Sequence, residues 1–131
     1  MENLIQVYKC FCDETRLRIL HLLTVSPLCV CHLQHILEVS QVNTSRHLGT
    51  LKKAGMVITT RHQNWMIYSL PETPSVELER NLACLQDLAS TEQVFRQDRK
   101  KLDALLRAQD VRDVLSEGGC LLPTPNKESV R

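Results

Sequence analysis

The spacing of apolar residues changes at Gly55, and this change constrains the fold more than any other feature. In residues 40–55, S-Q-V-N-T-S-R-H-L-G-T-L-K-K-A-G, a stripe recurs at every third position and predicts an amphipathic helix. The residues that this stripe predicts to lie inward are Val42, Ser45, Leu48, Leu51 and Ala54. After Gly55 the period is two, so residues 56–61 and 65–70 predict two strands of a hairpin.

Both ends of the 40–55 helix carry residues typical of helix termini. The Ser40 hydroxyl can accept from the free backbone N–H groups of the first turn. Gly55 tolerates the left-handed conformation that ends many helices.

Upstream sequence predicts three more helices. Apolar residues at helical spacing mark residues 3–12, Asp13 is a plausible N-cap of a central core helix, and a third helix covers about residues 29–37. The third and fourth helices are separated by a short turn, which is the geometry of a helix-turn-helix. With the hairpin, residues 1–74 predict a mainly α winged helix-turn-helix domain with a small β-hairpin.

The outer face of the fourth helix and the hairpin tip have side chains suited to double-stranded DNA. Amides, hydroxyls, imidazoles and cations of this kind contact base edges and phosphates. The candidate DNA-binding residues are Gln41, Asn43, Thr44, Ser45, Arg46, His47, Thr50 and Lys53 on the helix, and Arg61, His62, Gln63 and Asn64 on the hairpin. If the helix is considered without the hairpin, the alternative is that its outer face is an ordinary solvent-exposed surface.

Charge supports a DNA interface. The net charge of the 131 residues is only +1, yet no Asp or Glu occurs between Glu38 and Glu72, where four Lys and Arg residues fall.

We find no signal peptide and no membrane-spanning segment, so we expect a cytoplasmic protein. Enzyme signatures such as a P-loop, G-x-S-x-G or H-E-x-x-H are absent from the sequence, and we expect no catalytic activity.

The C-terminal third predicts a dimerisation segment at residues 75–113. Its apolar stripe, Leu78, Leu82, Leu85 and Ala89, lies outside a complete winged-helix core and needs a partner surface. A homodimer formed by the terminal helices, with help from residues 3–12, is the economical solution. Packing of the stripe back on its own domain is the alternative. Residues 114–131, with paired glycines and two prolines, predict a disordered tail.

Cys29-Val30-Cys31 is the sharpest local motif. Cysteines in a cytosolic chain are expected to be thiols, and thiolates select soft ions. Residues i and i+2 point apart on a regular helix, so both can bind one ion only at a frayed or distorted helix start. Ion binding should therefore deform the helix before the DNA-contacting helix. Burial of the two thiols in the core is the alternative.

A second Cys-x-Cys pair, Cys10 and Cys12, ends the first helix and supplies candidates for a third ligand. We expect Cys84 to be structural, and Cys120 to be a late ligand, a redox-active thiol or neither. The five histidines form no spaced metal motif, and we expect them on the surface or in the core.

Four ordered segments resemble the ArsR/SmtB family of metalloregulatory repressors over about residues 3–90. They are C-D-E-T-R-L-R-I-L-H-L-L, L-C-V-C-H-L, S-R-H-L-G-T-L-K-K-A-G-M-V and W-M-I-Y-S-L. The resemblance implies a winged-helix homodimer that represses from operator DNA and is released by a toxic ion. It assigns the sensor role to Cys29 and Cys31, with As(III), Sb(III) or an organoarsenical as the expected inducer.

Two departures from the family pattern leave the ligand set open. The arsenite branch usually has a third cysteine where this chain has Gln34, and the cadmium/lead branch adds cysteines from an N-terminal arm that is almost missing here. We expect a third thiolate from Cys10 or Cys12 of the same or the partner subunit. A cadmium/lead sensor and a thiol-redox repressor of the same fold are alternatives, and a cytosolic thiol or metal-buffering protein is a more distant one.

Overall fold

A computed structural model describes residues 1–115, with side-chain detail for residues 1–108. In chain order the elements are α1 (Glu2–Phe11), α2 (Glu14–Leu23), β1 (Leu28–Cys29), α3 (Val30–Leu37), α4 (Gln41–Lys53), β2 (Ile58–His62), β3 (Trp65–Ser69), α5 (Val76–Ala89) and α6 (Gln93–Leu115). The mainly α winged helix-turn-helix architecture predicted from the sequence is confirmed.

Both predicted N-caps are present. A carboxylate oxygen of Asp13 accepts from the backbone N–H of Arg16 at 3.0 Å, and the Ser40 hydroxyl accepts from that of Asn43 at 3.2 Å. Each cap satisfies one of the free N–H groups of a first helical turn. The starts of α2 and α4 are therefore set by local sequence.

The end of α4 is set by Gly55, whose φ is +76°. Its N–H donates to the Lys52 carbonyl at 3.0 Å, and the N–H of Met56 donates to the Leu51 carbonyl at 2.9 Å. This pair of bonds is a Schellman motif, which satisfies carbonyls left free at a helix end. The chain then turns directly into the hairpin.

The sheet has three antiparallel strands in the order β1-β3-β2. The predicted hairpin is confirmed, with a register that runs from Ile58 opposite Ser69 to His62 opposite Trp65. Strand β1 was not predicted, and it pairs Cys29 with Ile67. The start of α3 is thereby hydrogen-bonded to the hairpin, which we call the wing.

The core is built around α2, as predicted, and α1, α4, α5 and α6 all pack against it. The α5 stripe belongs to this core. Its members, Leu78, Leu82, Leu85 and Ala89, are all buried within their own chain. They pack on the chain's own domain, which was the alternative interpretation, so any dimer contact made by α5 must use its other residues.

Helix α6 is held by two polar contacts. Asp98 is 1% exposed and accepts two hydrogen bonds of 2.8 Å from the Arg18 guanidinium of α2. The Lys101 ammonium donates to the Ile36 carbonyl at 3.2 Å and to the Glu38 carboxylate at 2.6 Å. α6 therefore contacts the turn between α3 and α4.

Most of the predicted tail, including Cys120, lies outside the described residues. Among the described helices, none is long and apolar enough to cross a membrane. The boundaries predicted for the domain, the dimerisation segment and the tail stay predictions.

Candidate functional site

The two sulfurs of the Cys-Val-Cys motif meet at the start of α3. Cys29 is the N-cap, with an extended backbone (φ −94°, ψ 171°), and Cys31 is the second helical residue. Because Cys29 lies outside the helix, its Sγ comes to 2.9 Å from that of Cys31. The sequence analysis placed both cysteines at a frayed or distorted helix start, and the extended backbone of Cys29, which pairs with Ile67 through β1, agrees with that expectation.

His32 lies beside this pair. Its Nδ1 is 3.0 Å from the Cys29 Sγ, and its side chain is buried. Cys29, Cys31 and His32 are the one group of three potential ligands found in the described part of the chain, with ligand atoms all within 4.8 Å. Sequence reasoning missed His32, although its position next to Cys31 in the first helical turn was a usable signal.

The two sulfurs differ in their surroundings. Cys31 is a free thiol whose pKa is raised by burial of the sulfur, a shift that backbone N–H groups of the first turn partly oppose. The Cys29 sulfur is buried and lies against both the Cys31 sulfur and the His32 imidazole. Each sulfur binds a soft ion as the thiolate.

A cavity of about 260 Å³ opens beside the sulfurs. It is lined by Cys29, Val30, Cys31, Gln34, Gln41, Trp65 and Met66. Gln41 is the first residue of α4, and Trp65 and Met66 belong to β3 of the wing. A ligand on the sulfurs would therefore contact both elements that the sequence assigns to DNA.

Cys10 and Cys12 are not brought to this cluster within one chain. Cys10 is buried in α1, its sulfur accepts from the Gln6 amide at 3.9 Å, and burial raises its pKa. Cys12 is exposed just after the helix. A third thiolate from either residue of a partner subunit stays a prediction.

The inward stripe predicted for α4 is partly wrong. Val42 and Ser45 are exposed, and Thr44 and His47 take the inward positions beside Leu48. Thr44 can be buried because its hydroxyl donates to the Ser40 carbonyl at 2.8 Å. The correct stripe follows the i, i+3, i+4 pattern from position 44.

Thr44 and His47 are therefore removed from the candidate DNA contacts. His47 is 6% exposed, and its Nδ1 lies 3.3 Å from the Arg16 guanidinium. Burial lowers the pKa of His47, and nearby Arg46 and Arg16 lower it further, whereas Asp13 raises it. At 6% exposure the imidazole of His47 offers almost no surface to a phosphate.

The other predicted contacts lie on accessible surface. Gln41, Asn43, Ser45, Arg46, Lys53, Arg61, His62, Gln63 and Asn64 are exposed, and Thr50 is half-buried. The Arg46 guanidinium donates to the Asn43 amide oxygen at 3.4 Å, at the centre of this surface. Three exposed residues of α4, Val42, Gly49 and Lys52, are not among the sequence-based candidates. Val42 was left out because the predicted stripe placed it inward.

Comparison with known proteins identifies related regulators. Residues 13–59 match the family model described as "Bacterial regulatory protein, arsR family". The chain is similar to the arsenic resistance transcriptional regulator ArsR2 of Pseudomonas putida, with 40% identity over 63% of this chain and 80% of ArsR2. It is 46% identical to ArsR1 of the same organism over 52% of this chain, a match that spans about half of ArsR1, 55%.

A cadmium regulator is also similar. CadC of Listeria innocua is 45% identical over 38% of this chain and 43% of CadC. Among solved structures, HlyU from Vibrio cholerae has a TM-score of 0.60 at 31% identity, covering 66% of this chain and 91% of HlyU. The likeness to HlyU covers the winged helix-turn-helix fold.

Proposed function

The chain belongs to the ArsR family of bacterial regulatory proteins, and from this premise we propose that it is a metal(loid)-responsive repressor. It binds operator DNA as a homodimer and is released when trivalent arsenic or antimony, inorganic or organic, binds Cys29 and Cys31. The observation that carries the proposal is the approach of the two sulfurs to 2.9 Å beside a cavity shared with α4 and the wing.

The DNA interface uses the exposed side of α4 and the wing tip. Arg46, Lys52, Lys53 and Arg61 supply cations, and no acidic residue occurs between Glu38 and Glu72. Cations neutralise phosphates, while the amide of Asn43 and the guanidinium of Arg46 can pair with base edges. Two α4 helices of a dimer would enter successive major grooves about 34 Å apart.

The dimer uses the apolar side chains that the core leaves exposed. Ile5 and Tyr8 are about half exposed on α1, and Leu88 is 54% exposed on α5. α1 packs against α5 within the chain, so the terminal helices offer one surface for a two-fold contact.

Release follows from the position of the sulfurs. Cys29 is hydrogen-bonded through β1 to the wing strand, and the cavity beside it reaches Gln41 at the start of α4. A bound metalloid would fix the first turn of α3 and displace Gln41 or Trp65. Such a shift needs only to favour a conformation with lower DNA affinity, because a ligand acts by its differential affinity for two states.

The test is release of the reduced protein from a duplex that it has itself selected from a random library, followed by fluorescence anisotropy. We expect arsenite or phenylarsine oxide to release wild type and not Cys29→Ser. Cys84→Ser, an exposed cysteine of α5, is the matched control and should release like wild type. Release of Cys29→Ser at wild-type concentrations would contradict the proposal.

A second function, repression controlled by thiol oxidation, has one specific observation in its favour, the separation of only 2.9 Å between the Cys29 and Cys31 sulfurs. The two thiols, Cys29 and Cys31, would pass two electrons and two protons to hydrogen peroxide, forming one disulfide and two waters. DNA release by peroxide in chelated buffer, reversed by dithiothreitol, would support it.

A further inference from the structure

A cavity of about 550 Å³ lies where the ends of α2 and α5 meet the first turns of α6. It shares no lining residue with the cavity beside Cys29 and Cys31. We propose that this cavity binds a small organic carboxylate, held by the imidazole of His21 and by cations of α6. The inference goes beyond the proposed function and does not depend on it, because no cysteine lines this cavity.

His21 supplies a buried polar atom without a partner. The residue lines the cavity and is 5% exposed. Its Nδ1 is the one buried side-chain nitrogen or oxygen without a hydrogen-bond partner among the side chains that the structure describes. Such a group is costly to bury, so it calls for a partner from outside the chain. With its proton on Nδ1, a neutral imidazole donates to a carboxylate oxygen.

The acidic group that acts on His21 is already engaged elsewhere. Burial lowers the pKa of His21, Asp98 raises it, and Arg99 lowers it. Both carboxylate oxygens of Asp98 accept hydrogen bonds of 2.8 Å from the Arg18 guanidinium. An anion between His21 and Arg99 would therefore satisfy the imidazole Nδ1 and face a cation.

Three cations of α6, Arg96, Arg99 and Lys100, line the cavity, and none of its described lining residues is acidic. Arg99 donates to Asp103 at 3.1 Å, and Arg96 donates to the Ser90 carbonyl at 2.8 Å. Each guanidinium has five N–H groups and keeps donors for a ligand. Lys100 makes no ion pair with any residue in the described part of the chain. A cleft lined by charges of one sign concentrates ligands of the opposite sign.

The rest of the lining favours a ligand with an apolar body. Val25, Ala89 and Phe95 contribute to the wall, and the Phe95 ring centroid lies 5.0 Å from that of His21. The volume falls in the range of about 300–1,000 Å³ that is usual for small-molecule sites. An inorganic anion would leave this wall in contact with water, whereas a ring or short alkyl chain would cover it.

The inference is tested by nuclear magnetic resonance on the reduced full chain with labelled histidine nitrogen. Benzoate, phenylacetate and hexanoate are the probes, and benzamide and inorganic phosphate are the comparison compounds. At least one carboxylate should shift the His21 resonances saturably. The resonances of His35 and His62, which are exposed and do not line the cavity, should stay unchanged. Benzamide lacks the charge and phosphate lacks the apolar body, so both should bind at least about tenfold more weakly.

A matched pair of α6 variants tests the cations. Lys100→Gln should weaken carboxylate binding by about fivefold or more, because it removes a charged donor at the cavity. Arg107→Gln removes one charge from an exposed residue of α6 outside the cavity and should bind like wild type.

Two results would overturn the inference. One is the absence of a saturable His21 shift with all three carboxylates in wild type, which would mean that only water fills the cavity. The other is equal affinity for carboxylate and benzamide, or for carboxylate and phosphate. Either result would leave the two-cysteine sensor intact, because release by arsenite is measured separately.

Discussion

The guanidinium of Arg16 lies 3.3 Å from Nδ1 of His47 and joins α2 to the DNA-contacting helix α4. Arg16 also donates to the carbonyls of Cys10 at 3.0 Å and Lys9 at 3.2 Å, at the end of α1. Because a guanidinium only donates, Nδ1 of His47 must accept, which assigns its proton to Nε2. One side chain therefore links the second Cys-x-Cys segment to the inward face of α4.

Acid should weaken the fold through its buried imidazoles. Burial lowers the pKa of both His47 and His21 below the unfolded value near 6.5. The unfolded chain then binds more protons once the pH falls below that value. The stability contribution is complete above about pH 6.5 and is lost progressively as the pH falls toward the lower folded pKa values.

Urea unfolding at about pH 7.5 and about pH 5.5 measures this loss. His47→Gln should reduce the difference in unfolding free energy between the two conditions, because it removes one of the titrating groups. His35→Gln, a change at an exposed histidine, should leave it at the wild-type value. An undiminished difference in His47→Gln would show that this imidazole is not buried in neutral form.

Asp98→Asn should strongly destabilise the protein. The change leaves the Arg18 guanidinium, whose side chain is 15% exposed, without its bidentate carboxylate partner. Breaking one side of a buried pair costs about 3–5 kcal/mol. Asp103→Asn breaks the exposed pair with Arg99 and should cost no more than about 0.5 kcal/mol. Equal losses in chemical denaturation would contradict the burial of the Arg18–Asp98 pair.

Two glycines of the α4 region should respond in opposite directions to alanine. Gly55→Ala forces a side chain into φ +76° and should cost about 1–2 kcal/mol. Gly49→Ala lies in the helix, where an added Cβ meets nothing within 4 Å, and should stabilise by about 1 kcal/mol. Thermal unfolding of both variants checks the helix boundary, and a stabilised Gly55→Ala would place it elsewhere.

Two cations on the exposed face of α4 should contribute differently to DNA binding. Lys53→Ala should reduce the slope of log affinity against log salt by about 1, because one phosphate contact is lost. Arg46→Ala should weaken binding and relax preference at one base position. Arg107→Ala, an exposed arginine of α6, is the control and should change neither quantity. Unchanged operator affinity in Arg46→Ala would remove α4 from the interface.

Residue types at single positions correctly predicted the helix caps and the turn after α4, which depend on local backbone hydrogen bonds. The caps at Asp13 and Ser40 and the turn at Gly55 follow from single residue types, and all three are present. Strand β1 has only two residues, too few to show an alternating pattern of apolar residues. It is defined only by its pairing with β3. The convergence of Cys29 and Cys31 followed from that unpredicted strand.

Polar residues on inward positions were the main source of error at the site. Thr44 and His47 have hydrogen-bonding side chains, which a pattern of apolar residues assigns to solvent. They are buried because Ser40 and Arg16 satisfy them, and those partners are known only from the tertiary structure. Similarly, no sequence spacing revealed that the apolar stripe of α5 packs against its own chain. Its members are Leu78, Leu82, Leu85 and Ala89.

Inducer binding at Cys29 and Cys31 and DNA binding should each weaken the other, and thermodynamic linkage tests this most directly. Arsenite affinity is measured on the reduced free protein and on the protein bound to its selected duplex. We expect the DNA-bound protein to bind arsenite more weakly than the free protein, by the same factor by which arsenite weakens DNA binding. Equal arsenite affinity with and without DNA would contradict it.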